Sequence, residues 1–310
     1  MSSQPGTLPY EPFERPPIEP ALMAETRPMY WSVRRELWEN RWLYLAPLLV
    51  AAIVLFASAA HTLTLPKKMR TAAAGGTAQQ AAFVTPYKMA PAPIMLATLL
   101  VGFFYCFDAL HGERRDRSIL FWKSLPVSDR TTVLSKAAIP LVVLPLLAYA
   151  LSVIVQVVLL QLNTLVLLGG GMSPAPLWGE VRFFQNLLIM AYGLTVHALW
   201  YAPVYGWLLL VSAWSRRVPL VWAVLPLLAV AAAERILFNS TRLLAMLAYR
   251  ITGAMKEAFA FAPKGGGNIN PLSELDPVRF LSAPGLWVGL LFAALCLAAA
   301  VRLRRKREPI

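Results

Sequence analysis

Residues 137–168 read AAIPLVVLPLLAYALSVIVQVVLLQLNTLVLL, without one Asp, Glu, Lys or Arg. A helix needs roughly 20 mostly apolar residues to cross the hydrocarbon core of a bilayer. This run is longer than that, so it predicts a spanning helix that tilts or extends beyond the bilayer. Five runs of the same kind accompany it: about 42–65, 92–110, 183–214, 218–238 and 284–301. The predicted fold class is therefore an all-α membrane protein with six transmembrane helices. Prolines within the runs (Pro47, Pro140, Pro145, Pro203, Pro226) are costly in soluble helices but frequent in membrane ones, where they kink the rod.

Composition agrees. Apolar types supply 58% of the 310 residues and charged types 15%. A soluble domain carries about 45–50% and about 25%. The net charge of +13 raises the question of nucleic acid. However, the basic residues flank apolar runs instead of forming one basic domain, so membrane topology accounts for them and no nucleic-acid partner is expected.

Cytoplasmic segments of membrane proteins are enriched in Lys and Arg. With the N-terminus inside, the inner segments hold 18 of the 29 Lys and Arg residues. Both termini are therefore predicted to be cytoplasmic. Residues 1–28 are proline-rich without an apolar run and read as a disordered tail, not a signal peptide. Residues 29–310 form the membrane domain, closed at the inner face by RLRRKREPI. Cys106 and Cys296 both fall in spans and predict neither a disulfide framework nor a metal site.

Residues 29–41 precede the first span. On a helical projection Tyr30, Trp31, Val33, Leu37 and Trp38 share one side, and Ser32, Arg35, Glu36, Glu39 and Asn40 the other. This predicts an interfacial helix on the inner leaflet, with Arg34 and Arg41 snorkelling to head groups. The alternative is a plain extension of the first span. Between spans five and six, residues 239–282 form a long outer segment. Its portion RLLAMLAYRITGAMKEAFAF is broken by Arg250, Lys256 and Glu257. A seventh span would bury those charges, so outer amphipathic or re-entrant helices are predicted.

The loop between spans two and three contains ERRDRSILFWKSLPVSDR, residues 113–130. A topology anchor needs only Lys and Arg. Here Glu113, Arg114, Arg115, Asp116 and Arg117 mix both signs, which suits a docking surface. Ile119, Leu120, Phe121, Trp122 and Leu125 are too few to span. They predict a short greasy helix halted before Pro126, followed by Ser128 or Asp129 as N-cap of span three. Aromatics beside arginines are frequent interface anchors. The plain alternative is inner-face anchoring with interfacial aromatics.

These features resemble the permease subunits of ATP-binding-cassette transporters of the bacterial ABC-2 exporter type, over most of the chain from about residue 29. The resemblance rests on the interfacial helix, six spans with both ends inside, a helix between spans two and three, and a large outer segment between spans five and six. It implies that residues 113–126 are a coupling helix seated in a cleft on a separate ATPase subunit. Glu113, Arg114, Arg115, Asp116 and Arg117 would pair with the rim of that cleft, and Phe121, Trp122, Leu125 and Pro126 would fill it. It further implies a second permease chain, a homodimer by preference, and two ATPase subunits. ATP and Mg would be bound by those partners, since this chain holds no G-x-x-x-x-G-K-[ST] loop and needs no cofactor of its own. The implied location is the bacterial inner membrane.

Two other readings stay open: a polytopic enzyme acting on lipid-linked substrates, and a membrane scaffold or sensor. The first lacks a catalytic motif, because His61, His111 and His197 are far apart and neither H-E-x-x-H nor G-x-S-x-G occurs. Asp108 is expected to pair with Arg114 or Arg115 at the inner interface. Gln156, Gln161, Asn163, Asn186 and His197 are candidates for a pathway lining, with inter-helix hydrogen bonding the ordinary alternative. Glu234 and Arg235 are candidates for an outer gate. So few charges lie within the spans that the expected cargo is hydrophobic or amphipathic.

Overall fold

The computed structural model describes residues 27–62, 87, 89–124, 127–259, 272 and 275–306. The N-terminal tail, Leu125 and Pro126 lie outside them. Among the described residues there is no strand, only one isolated bridge between Phe259 and Leu275, and six helices are long and apolar enough to cross a membrane. The chain is an all-α, multi-pass membrane protein.

Helix α1 (Pro28–Glu39) precedes the first span, α2 (Trp42–Thr62). Span two is α3 (Pro91–Asp108), followed by the short helices α4 (His111–Arg115) and α5 (Ser118–Ser124). Span three begins earlier than its apolar run, at α6 (Asp129–Ala138). It passes through a π-helical turn at Ile139–Val143 and continues as α7 (Leu144–Gly169). The early start has a local cause: Ser128 caps the helix, its hydroxyl accepting from the Thr131 amide at 3.1 Å. The π turn lies where Pro140 and Pro145 remove two backbone donors. Helix α8 (Ala175–Val181) leads to span four, α9 (Phe183–Trp214), and then span five, α10 (Pro219–Phe238). Helices α11 (Arg242–Ala258) and α12 (Pro277–Ser282) precede span six, α13 (Pro284–Lys306).

Helix α9 is the axis of the bundle and touches α3, α7, α10, α11 and α13. Its tightest neighbour is α13. A Cβ added at Gly206 would sit 3.2 Å from the Ala293 Cα, so glycine is what lets the two backbones close. Helices α2, α3 and α7 share a second core around Ile94, Ala148, Leu151 and Val155. Helix α10 is peripheral and buries only Ala223 and Ala231. Leu49, Ile53 and Phe56 on α2, Leu225 and Val230 on α10, and Val288, Leu291 and Leu295 on α13 are all exposed. Water would tolerate so continuous an apolar exterior poorly, whereas hydrocarbon suits it.

Helix α11 is not among the six helices long and apolar enough to cross a membrane. It lies against α9, where the Trp200 indole N–H donates to the Arg250 carbonyl at 2.8 Å and Tyr201 donates to the Ile251 carbonyl at 2.8 Å. The Arg250 guanidinium covers the Trp200 ring at 4.7 Å and donates to the Gly285 carbonyl at 2.7 Å. Its charge is thereby spent on aromatic and carbonyl partners within the protein.

Candidate functional site

Two places in the bundle gather the polar residues singled out above. The first is the end formed by α1, α4, α5, the start of α6 and the ends of α9 and α13. There Glu36, Glu113 and Asp129 meet Arg35, Lys136 and Arg304. The Lys136 ammonium lies 2.9 Å from Glu36 and 3.1 Å from Glu113. Arg35 bridges the same two carboxylates at 2.6 and 3.4 Å. Arg304 pairs with Glu113 and reaches Asp129 at 3.1 Å. Tyr105 donates to Glu36 at 2.8 Å. Glu36, Glu113, Lys136 and Arg304 are all buried. Buried charges survive only when paired and hydrogen-bonded, and three carboxylates against three cations satisfy that. Burial alone would raise the Glu36 carboxyl. The Lys136 and Arg35 charges and their hydrogen bonds instead bring it below the ordinary range.

Helix α1 sits on this cluster with its polar side inward. Ser32 and Glu36 are buried, Leu37 is half-buried, and Tyr30, Trp31 and Trp38 are exposed. The Arg34 guanidinium lies between the rings of Trp31 at 5.2 Å and Trp38 at 4.6 Å. The aromatic side of the helix is thus free for an interface, and its polar side is fixed by partners on other helices.

The loop residues divide in the same way. Glu113 belongs to the buried cluster. Arg114 is buried too and donates to the Ser212 carbonyl at 3.1 Å and to the Ser215 carbonyl. A guanidinium on the last carbonyls of α9 both caps that helix and complements its dipole. The Ser212 hydroxyl accepts from the amides of Leu110 at 3.1 Å and His111 at 3.0 Å, and donates to the Phe107 carbonyl at 2.8 Å. The loop is therefore pinned to α9. The rim-pairing role expected for Glu113 and Arg114 is corrected accordingly: both side chains are engaged inside the chain. Trp122 is half-buried, 4.0 Å beneath the Arg35 guanidinium.

What remains on the surface is Arg115, Asp116 and Arg117, with Leu120, Phe121 and Lys123 on α5. Phe121 meets Trp122 edge-on at 4.8 Å. Arg115 reaches Asp108 at 3.6 Å, the interfacial pair expected from the sequence, though both are exposed and the pair contributes little. Arg117 has a positive φ of 58°, which turns the chain sharply from α4 into α5.

The second place is a half-open cleft between helices. Gln156, Asn186 and His197 all line one cavity of about 530 Å³ between α3, α7 and α9. Asn163 lies deeper along α7 and donates to the Tyr87 hydroxyl. Glu234 and Arg235 are elsewhere. Glu234 accepts from the amides of Arg242 at 2.8 Å and Leu243 at 2.9 Å, closing the first turn of α11, and Arg235 is exposed. Sequence reasoning missed Tyr201 and Tyr205, although their spacing from His197, four and eight residues on, places all three on one helix face.

No protein-family model matches the chain, and none of the curated proteins does.

Proposed function

We propose that the chain is the membrane-spanning permease subunit of an ATP-driven exporter of the ABC-2 type, and that it docks a separate ATPase subunit through α5 and the turn before it. The observation that carries this reading is the pairing of exposed Leu120 and Phe121 with exposed Arg115, Asp116 and Arg117 on a base held rigid from beneath. Asp116, paired with Arg115 at 3.0 Å, adds an acidic group that a lipid-facing anchor of Lys and Arg alone does not require. A protein cleft with an apolar floor and a polar rim has use for all five. The excess of Lys and Arg supports a cytoplasmic placement of this end of the bundle, where an ATPase would have access to it.

The mechanism follows from the attachments. Two permease chains present two α5 helices to a pair of ATPase subunits. ATP and Mg, held by those partners, close the pair and draw the α5 helices together. Each α5 moves α1 through Trp122 under Arg35, and through the adjoining α4 it moves α13 (Glu113 to Arg304), α6 (Glu113 to Lys136) and α9 (Arg114 to the Ser212 and Ser215 carbonyls). Spans one, three, four and six are thereby pulled as a set, and the pathway between the helices opens outward.

The test is co-purification of the detergent-extracted chain from its native membranes, intact and as the Leu120→Ala/Phe121→Ala variant. Truncating interface hot spots costs about 2 kcal/mol or more each, so retention of the ATP-binding subunit is expected to fall at least about thirtyfold. A folded variant that retains it fully, or an intact chain that retains none, overturns the reading.

A further inference from the structure

The half-open cavity between the helices carries an inference of its own. Its volume of about 530 Å³ falls within the roughly 300–1,000 Å³ of pockets that enclose drug-sized ligands. One wall is a stripe along α9 made by Gly193, His197, Tyr201 and Tyr205. The His197 and Tyr201 rings lie 4.8 Å apart, and His197 Nε2 is 3.3 Å from the Tyr205 hydroxyl. The facing wall is apolar, with Met95 and Leu99 from α3 and Leu144 after the π turn. Among the described residues, no Asp, Glu, Lys or Arg lines the space.

Gln156 is the polar exception on α7. It is 5% exposed, and its amide nitrogen donates to the Tyr87 carbonyl at 3.2 Å. That bond fixes the orientation of the amide and leaves Oε1 buried without a hydrogen-bond partner among the described residues. A buried oxygen in that condition is a standing cost, which a donor arriving on a ligand removes.

We propose that this cavity binds an uncharged amphipathic molecule of drug size, with its apolar body against the His197–Tyr201–Tyr205 stripe and one N–H or O–H donated to Gln156 Oε1. An ionised ligand would lose part of its hydration here and meet no countercharge among the described residues. The proposal deepens the exporter reading by naming its substrate class, and rests on that reading only for the word substrate. Binding itself requires no ATPase.

The experiment uses the full chain in nanodiscs with N-phenyl-1-naphthylamine, an uncharged probe with one N–H that fluoresces in apolar sites. Empty nanodiscs give the lipid background. The comparison probe is 8-anilino-1-naphthalenesulfonate, which keeps the rings and the N–H and adds a charge. Saturable binding of the uncharged probe is expected, with no displacement by the sulfonate. Gly193→Phe fills the cavity from α9, where the nearest atom to an added Cβ is Phe259 Cζ at 4.0 Å. Ala254→Phe fills it from α11. Each is expected to weaken binding at least about tenfold, in line with loss of most apolar contact. Gln156→Leu removes one hydrogen bond and is expected to weaken it about three- to tenfold. The two filling variants come from different helices, so either one reads the cavity if the other fails to fold. A signal no greater than lipid background, full affinity in the folded variants, or equal competition by the sulfonate overturns the proposal. Lost probe binding with the ATPase still captured overturns the cavity alone; lost capture with probe binding intact overturns the coupling alone.

Discussion

Replacing Glu113 by Gln keeps the shape of the side chain and removes one negative charge from a cluster balanced three to three. Lys136 keeps Glu36 at 2.9 Å, Arg304 keeps Asp129 at 3.1 Å, and Arg35 keeps Glu36 at 2.6 Å. No cation is stranded alone, but the buried cluster now carries an uncompensated charge. Breaking a buried pair costs about 3–5 kcal/mol, and the retained partners place this variant at the lower end, about 3 kcal/mol. Arg115→Ala is the control. Its pair with Asp108 is 58% and 60% exposed, so its loss is expected to cost no more than about 1 kcal/mol. The assay is equilibrium unfolding in mixed detergent micelles, followed by tryptophan fluorescence. Adding Arg304→Gln to Glu113→Gln restores neutrality, so the double variant is expected to fall short of the summed costs by at least about 1 kcal/mol. Equal costs for Glu113→Gln and Arg115→Ala, or strict additivity in the double variant, would refute the claim that this network is a coupled, buried unit.

Three further outcomes are expected. The Glu36 carboxyl lies below its ordinary value, so its stabilising contribution is complete above the unfolded carboxylate range of about 4.3. It is lost as pH falls through the lower folded value, and the unfolding midpoint should drop steeply below about pH 4 in the intact chain and more shallowly in Glu36→Gln. Gly206→Leu drives a side chain into the backbone at Ala293 and should cost about 1–3 kcal/mol or more, while Gly179→Leu, with open space around its Cβ, should be near neutral in the same titration. Glu234→Ala removes the acceptor for the Arg242 and Leu243 amides, so hydrogen exchange should quicken at the first turn of α11 and stay unchanged at its last.

The spans were legible because their signal is local. A run such as 137–168 needs no partner to declare itself, and neither does Ser128 in front of α6. The loop between spans two and three was only half legible. Glu113 and Arg114 look in sequence like Arg115 and Arg117, and what separates them is their phase relative to the end of α9 and to Arg304, nearly two hundred residues away. The same is true of α1. Its polar side reads as water-facing until Lys136 and Tyr105 are placed beneath it. Gln156 and His197 stood out as polar residues in apolar runs, but their convergence on one cavity depends on how α7 and α9 pack, and no single helix encodes that.

The central claim is that the exposed face of α5 meets an ATPase subunit and not the lipid surface. Its most direct test is a photoreactive amino acid at Phe121, irradiated in native membranes, with the adduct identified by mass spectrometry. The account predicts an adduct with a protein that carries a G-x-x-x-x-G-K-[ST] loop, in a yield that changes when ATP is added. An adduct with lipid alone would contradict it and leave α5 a membrane anchor.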